Sequence, residues 1–256
     1  MTTRFALRLA YDGTAFAGWW RQPDRRTVAG ELDAALARLG EGVSVCESGP
    51  VGASRTDAGV HARRQVAHAD LQRAWNPGDL QRILNRQLPD DLTCTAIVPV
   101  ADDFHAAQSS TGKTYRYLCD PQGDPWRARF AWRLPFAVDL TALQSLTAET
   151  VTATTAAGFA RRGEFRDDLT IRLSAVRWYR HRDLLVCRIT GDRFTYRLVR
   201  SLVGGMLAVA RGAARPADWT ATLAGETTPA GREQAPAHGL HLARVHYPVD
   251  PFTPAD

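Results

Sequence analysis

Phe5, Leu7, Leu9 and Tyr11 are apolar at every second position, with Arg4 and Arg8 between them, which is the alternation of a strand with one buried face. A glycine-bearing connection covers 12–26. Thr27 then precedes a helical repeat of Val28, Leu32, Ala35, Leu36 and Leu39, and its hydroxyl suits an N-cap. Residues 65–70 and 92–98 read as further strands, and 79–88 as a short helix that stops before Pro89.

The pattern resumes at 114–119, another strand. The Thr- and Ala-rich stretch 147–158 carries little periodicity and reads as an irregular insertion or a weak element. Strands are expected over 170–179, 184–189 and 240–247, and a short helix around Trp219. Residues 194–210 give the clearest helical repeat, with Phe194, Leu198, Val199, Leu202, Val203, Met206, Leu207 and Ala210 on one face. Arg193, Arg197 and Arg200 would then form one stripe on another face. Strands and helices mixed without a strict βαβ rhythm predict an α+β fold with antiparallel pairing. Two halves are expected, 1–107 and 108–248, followed by a loose tail over 249–256.

The 256 residues are 45% hydrophobic and 23% charged, which excludes disorder, collagen and coiled coil as the main architecture. A net charge of +5 permits an RNA partner without demonstrating one. Lys113 is the only lysine, so 31 of the 32 basic residues are arginine, whose fork suits phosphates and stacks on bases. The start lacks the unbroken apolar stretch of a signal peptide, and the apolar run 201–210 is too short to span a bilayer. Cys46, Cys94, Cys119 and Cys187 lie far apart and read as small buried residues of a reducing compartment, so a cytoplasmic location is expected.

Residues 107–114 spell a loose phosphate-binding loop ending in Lys113 and Thr114. Strand residues follow it where that chemistry needs a helix, which argues against nucleotide hydrolysis. His238, His241 and His246 lack metal spacing and an acidic partner. Residues 52–62 are different. Small residues, Gly52 and Gly59, and the charges of Arg55 and Asp57 share a loop between strand candidates, where backbone can approach a ligand closely. Arg55 near Asp57 would favour the carboxylate over the acid, keeping a nucleophile or base ionised.

Five ordered blocks then carry a resemblance. They are Tyr11-Asp-Gly-Thr14 with Phe16, Gly18 and Trp19; the loop from Ser54 through Arg55, Thr56 and Asp57 to Ala62; and Phe104-His-Ala106 with Lys113-Thr-Tyr-Arg-Tyr117. Phe194 with Leu198-Val-Arg200, Val203 and Gly204 is the fourth, and Ala235 to Leu240 ending at Tyr247 the fifth. Together they resemble the bacterial tRNA pseudouridine synthase I (TruA) family. The resemblance implies two similar α+β halves whose antiparallel sheets meet in a central sheet, with helices outside and a cleft across it. It implies uridine-to-pseudouridine isomerisation in the anticodon stem-loop of tRNA, at positions 38–40, by a homodimer with no metal or cofactor. Position by position, Asp57 matches the catalytic aspartate and Arg55 the arginine of its loop. Tyr115 matches the tyrosine that packs on the target base, Arg200 the arginine paired with the aspartate, and Leu240 a residue of the same pocket.

Departures occur at Ser54, Trp20, Ala107 and 155–159, where glycine, glutamine, arginine and a His-Asp-Phe segment are usual. They leave the aspartate in place and bear on how RNA outside the pocket is held. The competing class, a noncatalytic RNA-binding module on the same scaffold, gives no reason for an acid in an RNA-facing loop, where it repels phosphate.

Overall fold

The computed structural model describes residues 2–40, 49–160 and 169–253; Cys46 lies outside them. The chain is α+β, with nine strands and six helices among the described residues and almost entirely antiparallel pairing. It forms two compact units, Met1–Thr111 with Leu242–Asp256, and Gly112–His241.

In the first unit, β1 (Thr3–Tyr11) is followed by α1 (Val28–Arg38), β2 (Val51–Gly52), β3 (His61–Leu71), α2 (Pro77–Asn85) and β4 (Leu92–Pro99). β1 lies between β3 and β4, antiparallel to both, with Leu7 opposite Ala67 and Ile97. Its alternating Phe5, Leu7 and Leu9 are buried, as the period-two pattern requires. A register shift between Leu9 and Tyr11 sets Tyr11 opposite Ala62, where β3 leaves the Asp57 loop. Thr27 caps α1, accepting from the Gly30 amide at 3.2 Å. Pro77 and the Asn76 side-chain cap start α2 two residues before its apolar pattern does.

The connection 12–26 is held by Arg26. Its guanidinium donates to both Asp91 oxygens at 2.7 and 2.8 Å and to Glu31 at 2.8 Å, while lying over the Phe16 ring at 4.3 Å. One side chain thereby ties the connection to α1 and to the turn before β4.

The second unit contains β5 (Gly112–Asp120), β6 (Trp132–Arg133), α3 (Leu140–Thr152), β7 (Arg172–His181), β8 (Leu184–Arg193), α4 (Leu198–Ala210), α5 (Pro216–Leu223) and α6 (Pro229–Arg232). The last strand, β9 (Leu240–His246), begins there and continues into the first unit. β8 lies between β5 and β7, antiparallel to both. Gly204 lets α4 come against the 233–235 backbone: a Cβ there would sit 2.9 Å from the Ala235 nitrogen.

Two expectations need correction. The stretch 147–158 is not wholly irregular, because α3 runs through Thr152. Its buried stripe, Leu143, Leu146 and Thr150, starts upstream of the Thr-rich segment, and Asp139 caps it. The helix expected from Phe194 begins only at Leu198. β8 takes up Arg193, and Arg197 stands outside the helix at a left-handed φ of 59°. The stripe of Arg193, Arg197 and Arg200 therefore does not exist; only Arg200 is helical. The described part of the tail, 249–253, makes two contacts. Asp250 accepts from Arg244 at 3.0 Å, and the Arg8 guanidinium lies over Phe252 at 5.0 Å.

Candidate active site

The Asp57 loop joins β2 to β3, and both its ends are pinned. Ala53 donates its amide to the Val66 carbonyl at 2.7 Å. The wholly buried Gln65 amide accepts from the Ser54 N–H at 3.2 Å and donates to the Ser54 carbonyl at 2.6 Å, so a side chain pairs with the loop as a strand would. Thr56 is held twice. Its hydroxyl lies 2.8 Å from that of Tyr11, and its carbonyl accepts from the Trp19 N–H at 3.0 Å. Beyond Asp57, the Val60 amide donates to the Asp57 carbonyl at 3.2 Å and that of Gly59 to Phe16 at 3.3 Å.

The partner segment explains its own composition. Gly18 sits at φ 107°, and a Cβ there would lie 2.7 Å from the Thr56 carbonyl oxygen. The Gly13 amide donates to His61 Nδ1 at 3.0 Å, and the Asp12 carboxylate lies 3.2 Å from the same nitrogen. Asp57 is half-buried in this frame and Arg55 exposed. The Arg55 guanidinium lies 4.6 Å from the centroid of the half-exposed Trp20, a cation–π pair that the sequence did not announce.

The remaining candidates belong to the second unit. Tyr115 stands on β5 opposite Ile189, 8% exposed, with the Phe194 ring edge-on at 5.0 Å. Phe194 was read as a helix residue; its place after β8 instead makes it the partner of Tyr115. Arg200 on α4 donates from Nε to the Ala235 carbonyl at 2.8 Å, and the Ala235 amide donates back to the Arg200 carbonyl at 3.0 Å. This exchange holds the segment leading to Leu240, which is buried at the start of β9. Tyr117 donates to the Pro236 carbonyl at 2.8 Å from the same side of β5 as Tyr115. Burial holds His238 below its ordinary pKa; the nearby Arg200 charge adds to this, and a hydrogen bond involving the Ala131 backbone opposes it. Asp57 and Arg55 thus lie in one unit, and Tyr115, Arg200 and Leu240 in the other.

Gly112 opens a strand, so no helix follows the loop at 107–111. Among the described residues no His, Cys, Asp or Glu cluster could hold a metal ion, and no helix is long and apolar enough to cross a membrane. Cys94, Cys119 and Cys187 are buried free thiols. Burial raises all three, Cys94 to about 12, so they stay protonated packing groups.

The geometry is that of an acid on an anchored loop of an α+β unit. A family model described as tRNA pseudouridine synthase matches residues 9–107 and 154–248. The chain belongs to the tRNA pseudouridine synthase family and is an isomerase. The tRNA pseudouridine synthase A of Shouchella clausii (strain KSM-K16) is 36% identical over 248 residues, spanning 96% of this chain and 94% of its own. That of Halalkalibacterium halodurans is 33% identical over 243 residues, 94% and 91% of the two chains. That of Streptococcus agalactiae serotype III is 33% identical over 250 residues, 96% and 95%.

Proposed function

We propose that this protein converts uridine to pseudouridine in the anticodon stem-loop of tRNA, at positions 38–40, with Asp57 as the catalytic carboxylate. The observation that carries this reading is the anchoring of Asp57, with Thr56 before it held at both hydroxyl and carbonyl. A loop backbone held in this way leaves little more than the Asp57 side chain to reorient when the substrate arrives.

The reaction breaks the bond between uracil N1 and the ribose, turns the base, and joins C5 to the same ribose carbon. The C5 hydrogen leaves as a proton and N1 gains one, so product and substrate have the same atoms. Such an isomerisation calls for no redox carrier or phosphoryl donor. An ionised Asp57 serves it either as a nucleophile or by taking a sugar proton. The target base must leave its stack, and the Tyr115 ring, braced by Phe194, offers a replacement surface. Arg55, Arg200 and Leu240 complete the substrate-binding set, and the protein acts as a cytoplasmic homodimer, as the family resemblance implies.

The test supplies tRNA tritiated at uridine C5 and follows label entering water, then maps the product. Release with pseudouridine at positions 38–40 is expected. Release with pseudouridine elsewhere would overturn the site, and no release the activity.

A further inference from the structure

Lys113 is the single lysine in a chain that otherwise uses arginine for every basic position. It lies on β5 two residues before Tyr115, so both side chains leave the same face of the strand, about 7 Å apart along it. That spacing is close to the separation of a nucleotide's base from its own phosphate. Across the ladder Lys113 faces Gly191, which presents no side chain, whereas Tyr115 faces Ile189. The lysine is only partly exposed, and among the described residues no hydrogen bond or ion pair holds its ammonium. Asp192 is the acid whose charge it feels, but that carboxylate lies 3.6 Å from Arg172. Burial pulls the Lys113 pKa below the ordinary lysine value, and Asp192 offsets this only in part.

A half-desolvated ammonium without an acceptor is costly in the free protein, and a ligand anion removes that cost. The residue type fits this task. A lysine is a point charge on a flexible stem, able to meet one oxygen, where the planar arginine fork demands two acceptors in register. We propose that Lys113 is a substrate-binding residue that holds a phosphate oxygen of the RNA beside the target uridine while Tyr115 takes the base. The inference rests on the tRNA-modifying reading above and assigns one more contact to it.

The lone lysine makes a direct test practicable. Reductive ¹³C-methylation of the intact chain labels only Lys113 and the terminal amine, and the dimethylated amine keeps its charge. On adding an unmodified anticodon stem-loop RNA, the Lys113 signal should shift saturably and titrate at a pH higher by about one unit, because a phosphate favours the charged form. The terminal amine provides the internal control. In parallel, Lys113→Met should raise KM about tenfold with kcat nearly unchanged, the loss of one charge-assisted contact. It should flatten the log–log salt slope of RNA binding by about 0.7–0.9, and Lys113→Arg should restore most of that slope. A purely structural lysine would lower the melting temperature of Lys113→Met and leave the slope as it was. An unmoved Lys113 signal in RNA-saturated protein that still releases tritium overturns this assignment alone. Failure of the unlabelled protein to release tritium overturns both readings.

Discussion

Thr56, one residue before Asp57, is bonded at its hydroxyl and its carbonyl, so the carboxylate's attachment point cannot drift without breaking two hydrogen bonds. Asp57→Asn keeps the side chain's size and removes the charge. Turnover should vanish while the melting temperature stays within about 2 °C, since exposed or half-exposed charges add little to stability. RNA binding should be equal or tighter, because the lost charge repelled phosphate. Tritium release near the normal rate by a folded Asp57→Asn protein would falsify the role. Tyr115 is separable in the same way. Its ring meets Phe194 at 5.0 Å, so Tyr115→Phe should retain most activity. Tyr115→Ala should lose about 1–3 kcal/mol of stacking on the base. Steady-state kinetics on both variants decide this, and normal kinetics for the alanine protein would remove Tyr115 from the site. Both residues were proposed from the sequence, Asp57 from the composition of its loop and from the family resemblance, Tyr115 from the resemblance alone. The Trp20–Arg55 stack and the Phe194 brace were not, because ring contacts between distant or differently placed residues leave no periodic signal.

At the scale of elements, the site depends on how closely the connection after β1 approaches the Asp57 loop. Gly18→Ala tests this. Its φ of 107° and the 2.7 Å approach to the Thr56 oxygen leave no place for a methyl group. The protein should lose about 1–3 kcal/mol of stability by urea denaturation. Its kcat should fall further than that loss accounts for, since Thr56 must shift and carries Asp57 with it. Unchanged kcat would show that the loop tolerates displacement. Elements with an uninterrupted apolar period were readable: β1, α1 and β4 lie where the alternation put them. α3 was obscured because threonines hide a stripe whose first members precede them. The start of α4 was misplaced because the apolar period of Phe194 continues that of the helix, while β8 and the left-handed Arg197 decide where the helix begins.

For the whole molecule, stability should follow the protonation of His68. This side chain is buried on β3 and accepts the Ala106 amide at Nδ1 (3.1 Å), which requires the neutral ring. Burial, then the neighbouring His105 and Arg4 charges, push its pKa down from 6.5 to about 4, with Asp70 opposing. Below pH 6.5 the unfolded chain takes up a proton that the folded chain refuses, so this contribution is present above about 6.5 and is lost as the pH falls towards 4. Urea midpoints should therefore drop between pH 7 and pH 4.5, and His68→Gln should flatten part of that fall. An equal fall in the variant would assign the acid sensitivity to other groups.

The sequence by itself determined the α+β class and most strands and helices, and it pointed to Asp57 as the proposed reactive carboxylate. Side-chain period is set by local backbone geometry, and acid chemistry restricts a residue proposed for it to a few types. Only the tertiary structure decided which groups hold Asp57 still, where α4 starts, and that the lone lysine lacks a protein partner among the described residues. Each of those depends on atoms far apart in the chain, such as Tyr11 with Thr56 and Arg200 with Ala235, and on how much water their meeting excludes.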